Sequence, residues 1–294
     1  MTPTTILIHP PERHRLVLRA VSPISHGDTL TGADNATNTR LFMRQAAILG
    51  GVVERVPAIS ENALRSVAFR QPLADHLLDA LGIGPGELPQ AVMNLLYSGG
   101  SMAAGTTAPD SQFELEHRLR KLYPSLELLG GSVDRFVLSG SRLKLTAWLV
   151  AREYLPWLEL VMPEETELLA AAAQVSAFEL LAEETRTRGT GSESEGNQML
   201  YSYETLAAGA QVIVEITLDG RTSPAARAAV AVALTSWDKY FGGQARQGRG
   251  RMHVERPLTI DPAPYLDHLA AHGEAMRAGL LDGTFGTGTV LCAR

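Results

Sequence analysis

Phe241-Gly-Gly-Gln-Ala-Arg-Gln-Gly-Arg-Gly-Arg-Met-His-Val254 is the stretch on which the reading of the fold turns. It carries four glycines between Gly242 and Gly250 and three arginines, Arg246, Arg249 and Arg251. Glycine lets a backbone turn tightly and come close to a ligand, because no Cβ blocks positive φ or close approach. Arginine offers a planar fork of donors suited to phosphate oxygens. Taken alone, the stretch reads equally as a cradle for a phosphodiester backbone or as a solvated basic loop.

Its flanks narrow the choice. Gln211–Leu218 places Val212, Val214, Ile216 and Leu218 on one face, the alternation of a half-buried strand. Asp219-Gly220 makes a turn, and Pro224 opens an alanine-rich helix expected over 224–240, with Ala229, Leu234 and Trp237 among its apolar residues. Met252–Glu255 after the loop reads as a core strand. The order is therefore strand, helix, glycine-rich loop, strand. At the other end Arg15–Val21 is a short apolar strand running into Ser22-Pro-Ile-Ser-His-Gly-Asp-Thr, whose proline, glycine and small polar residues end it in a loop. Arg40–Leu49 is helix-like or a strand into the Gly50-Gly51 turn, and Val52–Val56 is strand-like.

Ser60 is an N-cap for a helix through Arg70, with Leu64, Val67 and Ala68 at core spacing and Asn62, Arg65 and Phe69 on another stripe. Helices are also expected over 73–81, Gln90–Tyr97, Ser111–Leu122, Glu164–Val175 and Tyr265–Leu280. Leu126–Leu129 and Asp134–Ala151 read as a β region, and Thr289–Cys292 as a closing strand. Phe178–Arg188 and Gln198–Thr205 read as a hairpin with a low-complexity tip, Gly189–Gly196. These elements imply an α+β fold: a sheet of ferredoxin or RNA-recognition type with large insertions, kept as one domain over 1–294.

Composition sets broad limits. The chain has 294 residues, is 45% hydrophobic and carries a net charge of −6. That charge argues against a general nucleic-acid coat, although acidic residues gather in Glu153–Glu167 and Glu179–Glu184, away from the purely basic loop. No apolar run approaches the roughly 20 residues of a membrane span. Met1–Pro11 lacks the charged-then-apolar order of a leader, and the lone cysteine, Cys292, leaves no disulfide framework or cysteine zinc site. The expectation is a soluble protein of a reducing cytoplasm.

Known catalytic signatures are absent: no Gly-x4-Gly-Lys-Ser/Thr, no Gly-x-Ser-x-Gly, no His-Glu-x-x-His. His268 and His272 are four apart on a helix, but no third metal ligand is evident. Ser25-His26-Gly27-Asp28 is the best catalytic candidate, with His26 as acid or base on a ribose–phosphate bond, or else as a hydrogen-bonding loop residue. Met199 at the root of the hairpin suits a wedge between bases, and Arg186 and Arg188 suit phosphates; a packed surface loop fits equally.

In order along the chain, four pieces resemble the backbone subunit of CRISPR effector complexes, in the RAMP superfamily and most like the type IV version. They are Pro23-Ile-Ser-His-Gly-Asp28, Ile59-Ser-Glu-Asn-Ala-Leu-Arg65, Asn94-Leu-Leu-Tyr-Ser-Gly-Gly-Ser-Met102, and the module from Gln198 through the glycine-rich loop. The resemblance implies a modified RNA-recognition palm, a helical insertion over about 57–123 and a thumb hairpin over about 178–205. It implies that copies polymerise along a guide RNA, each thumb crossing the guide–target duplex. Guide contacts would fall to Ser25, His26, Asn62, Arg65, Ser98, Gly99, Gly100, Gln244, Arg246, Gln247, Gly248, Arg249 and Arg251. Duplex contacts would fall to Arg186, Arg188, Gln198 and Met199.

The implied partners are guide RNA, a complementary target expected to be DNA, further copies and other effector subunits. No cofactor, metal, catalytic residue or membrane is implied. In some relatives an acidic residue after the first strand cuts target RNA; Asp28 and Asp34 lie in that neighbourhood. The competing readings are a metal-independent endoribonuclease of the same superfamily that processes guide RNA with His26, and a metabolic enzyme holding a phosphorylated substrate.

Overall fold

The computed structural model describes residues 10–27, 39–84, 86–102, 113–134, 136–138, 140–188, 199–235 and 240–285. Its strands, in chain order, are β1 (Glu12–Ala20), β2 (Thr39–Arg40), β3 (Arg44–Leu49), β4 (Val52–Pro57), β5 (Gly100–Met102) and β6 (Gly131–Asp134). Then come β7 (Phe136–Leu138), β8 (Leu143–Leu149), β9 (Leu181–Arg188), β10 (Met199–Leu206), β11 (Gln211–Leu218) and β12 (Met252–Arg256). The α-helices are α1 (Glu61–Leu64), α2 (Gln71–Ala80), α3 (Gln90–Ser98), α4 (Phe113–Leu122), α5 (Pro124–Leu129), α6 (Leu155–Val161), α7 (Thr166–Gln174), α8 (Pro224–Leu234) and α9 (Ala263–Leu281).

A four-stranded sheet in the order β12-β1-β11-β8 forms the centre. Every pairing in it is antiparallel, with Leu16 opposite Val214 across β1 and β11, and Ile216 opposite Leu145 across β11 and β8. Alternation sends Leu16, Leu18, Val214, Ile216, Leu143 and Leu145 to one buried face of the shared core, with α1 in contact with β8. Burying each such leucine or isoleucine contributes about 1.5–3 kcal/mol. Alanines at 226, 229 and 233 of α8 are fully buried, so the small side chains bring that helix close to its neighbours. On the opposite face Val17 and Ile213 are buried too, and ion pairs Arg15–Glu164 and Arg256–Glu165 tie the α6–α7 turn to it.

Three smaller sheets surround this centre. The β9–β10 pair is an antiparallel hairpin root, with Glu184 opposite Tyr203, and β2 joins β10 in parallel. β3 and β4 form a separate hairpin through Gly50-Gly51, whose tip exposes Ile48, Val52 and Val53. β5, β6 and β7 form the last.

Several sequence expectations change. Leu126–Leu129 belongs to the helix α5, not to a strand: Pro124 opens it at the first turn, and all six residues of the helix are buried. The β region beyond it is split into β6, β7 and β8. Arg40–Leu49 takes its strand alternative, since β3 starts at Arg44. The helix after Ser60 switches to π geometry over Arg65–Arg70, which rotates the stripe pattern. Phe69 is consequently fully buried, whereas Asn62 is exposed. Helix α8 ends at Leu234, and Tyr240 lies beyond it, bridged to Arg251. The first strand of the hairpin starts at Leu181 rather than Phe178. Trp237, Thr289–Cys292, Asp28, Asp34, Gln198 and the hairpin tip lie outside the described residues. No helix among the described residues is long and apolar enough to cross a membrane.

Candidate nucleic-acid interface

The glycine-rich loop is held against the end of β1 by backbone bonds. Gly243 N–H donates to the Ser25 carbonyl at 2.7 Å, Gly250 N–H to the Pro23 carbonyl at 2.9 Å, and Phe241 N–H to the Gly250 carbonyl at 2.7 Å. Gly250 has φ +82°, and a Cβ there would lie 1.9 Å from the Phe241 carbonyl oxygen, so only glycine closes this loop. A short 3₁₀ turn, Ala245–Gln247, forms the loop's apex.

Ser25, His26 and Gly27 after β1, Gly242, Gly243 and Gln244 of the glycine-rich loop, and Arg40 of β2 with Tyr203 of β10 line a cleft of about 510 Å³. No carboxylate belongs to that lining among the described residues. His26 is firmly set: its Nε2 accepts from Ser60 N–H at 3.2 Å, and Met43 N–H donates to its carbonyl at 2.7 Å. Its ring lies edge-on to Phe42 at 5.8 Å and tilted on Phe241 at 5.2 Å. An Nε2 that accepts places the ring proton of the neutral form on Nδ1. Gln244 is a non-glycine residue at φ +65°, in the left-handed region, and its Oε1 is buried with no partner among the described residues.

The three loop arginines differ. Arg246 and Arg251 are exposed, and no described side chain or carbonyl accepts from their guanidinium groups. Arg249 is not free for phosphate. Both of its terminal nitrogens donate to the Glu184 carboxylate of β9, and its guanidinium lies 5.2 Å from the centre of the Tyr203 ring. Thr205 and Tyr203 hydroxyls also donate to Glu184. The guanidinium hydrogen bonds, chiefly, hold the Glu184 carboxyl below its ordinary value and raise that of Arg249 in return. Gln247 and Gly248 sit exposed at the apex, with Gln247 N–H donating to the Gln244 carbonyl.

Other expected contacts fall elsewhere. Asn62 is exposed on α1, one residue beyond Glu61, but does not line the cleft. Arg65 is half-buried and donates to the Leu143 carbonyl at 3.2 Å; burial lowers its pKa against the opposing charge of Glu61. Its role in this structure is to join the helix to β8. Ser98, Gly99 and Gly100 lie apart from the cleft. Ser98 Oγ donates to the Asn94 carbonyl, Gly99 closes α3, and Gly100 pairs with Ser132 in the β5–β6 ladder.

Beside them the guanidinium of Arg70, buried at 8% exposure, donates to the carbonyls of Leu95, Leu129 and Gly130. Burial, with the neighbouring Arg65 charge adding, pushes the Arg70 pKa down to about 10. Backbone pairing sets Arg186 opposite Tyr201 and Arg188 opposite Met199 in the hairpin. The rings of His268 and His272 are 4.6 Å apart, His268 Nε2 lies 3.0 Å from the Leu122 carbonyl, and no metal-binding cluster is found among the described residues.

Sequence reasoning missed Arg40 and Tyr203 as lining residues. Tyr203 stood in a segment already read as a strand, but Arg40 carried no local signal, since its strand is two residues long.

No protein-family model matches this chain, and no curated protein matches it. Among solved structures it is similar to a chain of one named Type IV-B CRISPR Complex, with a TM-score of 0.57 and 19% identity, over 88% of this chain and 99% of that one. This protein therefore has the fold of a chain found in a type IV-B CRISPR complex.

Proposed function

We propose that this protein is a backbone subunit of a CRISPR effector complex that grips a guide RNA by its phosphates and ribose and does no chemistry of its own. The observation that carries the reading is the cleft between the end of β1 and the glycine-rich loop, at the root of the β9–β10 hairpin, whose described lining holds no carboxylate. Such a cleft suits a strand held by its backbone, with sequence recognition left to base pairing. The antiparallel order β12-β1-β11-β8, with helices between β1 and β8 and between β11 and β12, is the β-α-β-β-α-β arrangement and supports an RNA-recognition-type palm. The β9–β10 pair then serves as the thumb, and the apolar tip of the β3–β4 hairpin is a surface for a neighbouring subunit to cover. The likeness of fold to a chain of a type IV-B complex favours the same reading.

A guide-processing nuclease with His26 as acid or base is the second reading, because His26 lines the cleft. The Ser60 hydrogen bond to Nε2 favours a positioning role instead.

Two assays on the purified protein test this. RNA of uniform length or a ladder should co-purify, and added single-stranded RNA should drive sedimentation beyond the monomer. Clean protein that stays monomeric with RNA contradicts the scaffold. Cleavage of a guide precursor, lost in His26→Ala, replaces it with the nuclease.

A further inference from the structure

The loop arginine nearest the hairpin, Arg249, is committed to Glu184, which leaves open which cation faces the cleft itself. Arg40 answers that description. It lies in β2, where pairing with β10 sets it beside Tyr203. Its guanidinium packs over Gly27, so closely that a Cβ on Gly27 would sit 2.4 Å from Arg40 Nε. Gly27 in turn is bridged to Phe42, so the seat is part of the fold and not a loose contact.

Among the described residues no carboxylate pairs with Arg40. Of the carboxylates at the hairpin root, Glu184 is engaged by Arg249 and Glu204 by Arg44 and the Phe42 amide, while Glu183, paired with Glu204, lies on the strand face opposite that of Tyr203. Arg40 is exposed, and no described group accepts from it. In the same lining, the amides of Gly242 and Gln244 donate to no described group, whereas that of Gly243 is used by Ser25. A guanidinium seated on Gly27 and residues with open amides in one lining, with no carboxylate among the described residues of that lining, are complementary to an anion with several acceptor oxygens.

We propose that Arg40, seated on Gly27, is the phosphate ligand of the cleft, contacting a backbone phosphate of bound RNA. Arg249 is then a positioning residue that ties the loop to the hairpin. The assignment rests on the RNA-binding reading above.

The test is the salt dependence of binding to a labelled single-stranded RNA, measured for wild type, Arg40→Gln, Arg40→Lys and Gly27→Ala. One lost phosphate contact lowers the slope of log K against log salt by about 0.7. Arg40→Gln should show that loss with an unchanged urea midpoint, because the side chain is exposed. Arg40→Lys should recover the slope but not the full affinity, since a point charge replaces a fork. Gly27→Ala should weaken binding with Arg40 still present, by displacing its guanidinium. Inorganic phosphate at matched ionic strength should weaken RNA binding by the wild type more than by Arg40→Gln; an equal effect on both would overturn the contact. A wild-type slope in Arg40→Gln overturns the proposal alone. Absence of salt-dependent RNA binding by the wild type overturns it together with the proposed function.

Discussion

Arg249 and Glu184 form a two-pronged ion pair that joins the glycine-rich loop to the first strand of the hairpin, with Tyr203 against the guanidinium. The Arg249 side chain is 11% exposed and that of Glu184 30%, so the pair is only partly screened by solvent.

Acid should weaken this link. The folded carboxyl of Glu184 lies below its ordinary value, mainly through the Arg249 hydrogen bonds. The stabilisation is therefore present above the unfolded carboxylate value of about 4.3 and is lost as pH falls through the folded value. Glu184→Gln should lower stability by about 1–2 kcal/mol at neutral pH, after discounting for exposure. Urea melts of the two proteins should converge as pH falls below about 4. A gap that stays constant with pH would show that the carboxylate's charge is not what matters.

Loop closure depends on Gly250. Gly250→Ala combines φ +82° with a Cβ 1.9 Å from the Phe241 carbonyl oxygen, whereas Gly248→Ala meets nothing within 4 Å. The expected losses are about 3 kcal/mol for the first and about 1 kcal/mol for the second. Urea midpoints measure both; equal losses would mean that backbone conformation alone sets the cost.

Arg70→Met should destabilise by about 3 kcal/mol, because buried carbonyls lose their donor. Those carbonyls, of Leu95, Leu129 and Gly130, close α3 and α5, so protection of amides in the β5–β6 ladder should fall as well. A variant as stable as wild type would place the guanidinium's hydrogen bonds outside the stability of this region.

What the sequence disclosed follows from the range over which its signals act. The strand at Gln211–Leu218 was legible because its alternation is local, with only Ile213 departing from it, and Ser60 because it caps a helix that starts at the next residue. Leu126-Glu-Leu-Leu129, three leucines around one glutamate, fits strand or helix, and the deciding signal was Pro124 at the first turn. The π turn at Arg65–Arg70 moved Phe69 off the stripe of Asn62, a phase change that no 3.6-residue pattern anticipates. In the site, Ser25, His26 and Gln244 were legible as members of two loops that meet. The engagement of Arg249 was not, since Glu184 is 65 residues away, and neither was Arg40, whose place depends on a parallel pairing with Tyr203.

The proposed grip of the loop on the backbone of an RNA strand acts through Arg246 and Arg251, its exposed cations. It is tested most directly by titrating two single-stranded RNAs of unrelated sequence across a range of salt, with wild type and with the Arg246→Ala, Arg251→Ala double variant. Wild type should bind both RNAs with equal affinity, and the double variant should lose about 1.4 from the slope of log K against log salt, about 0.7 for each arginine. Strong preference for one sequence, or a slope unchanged in the double variant, would contradict it.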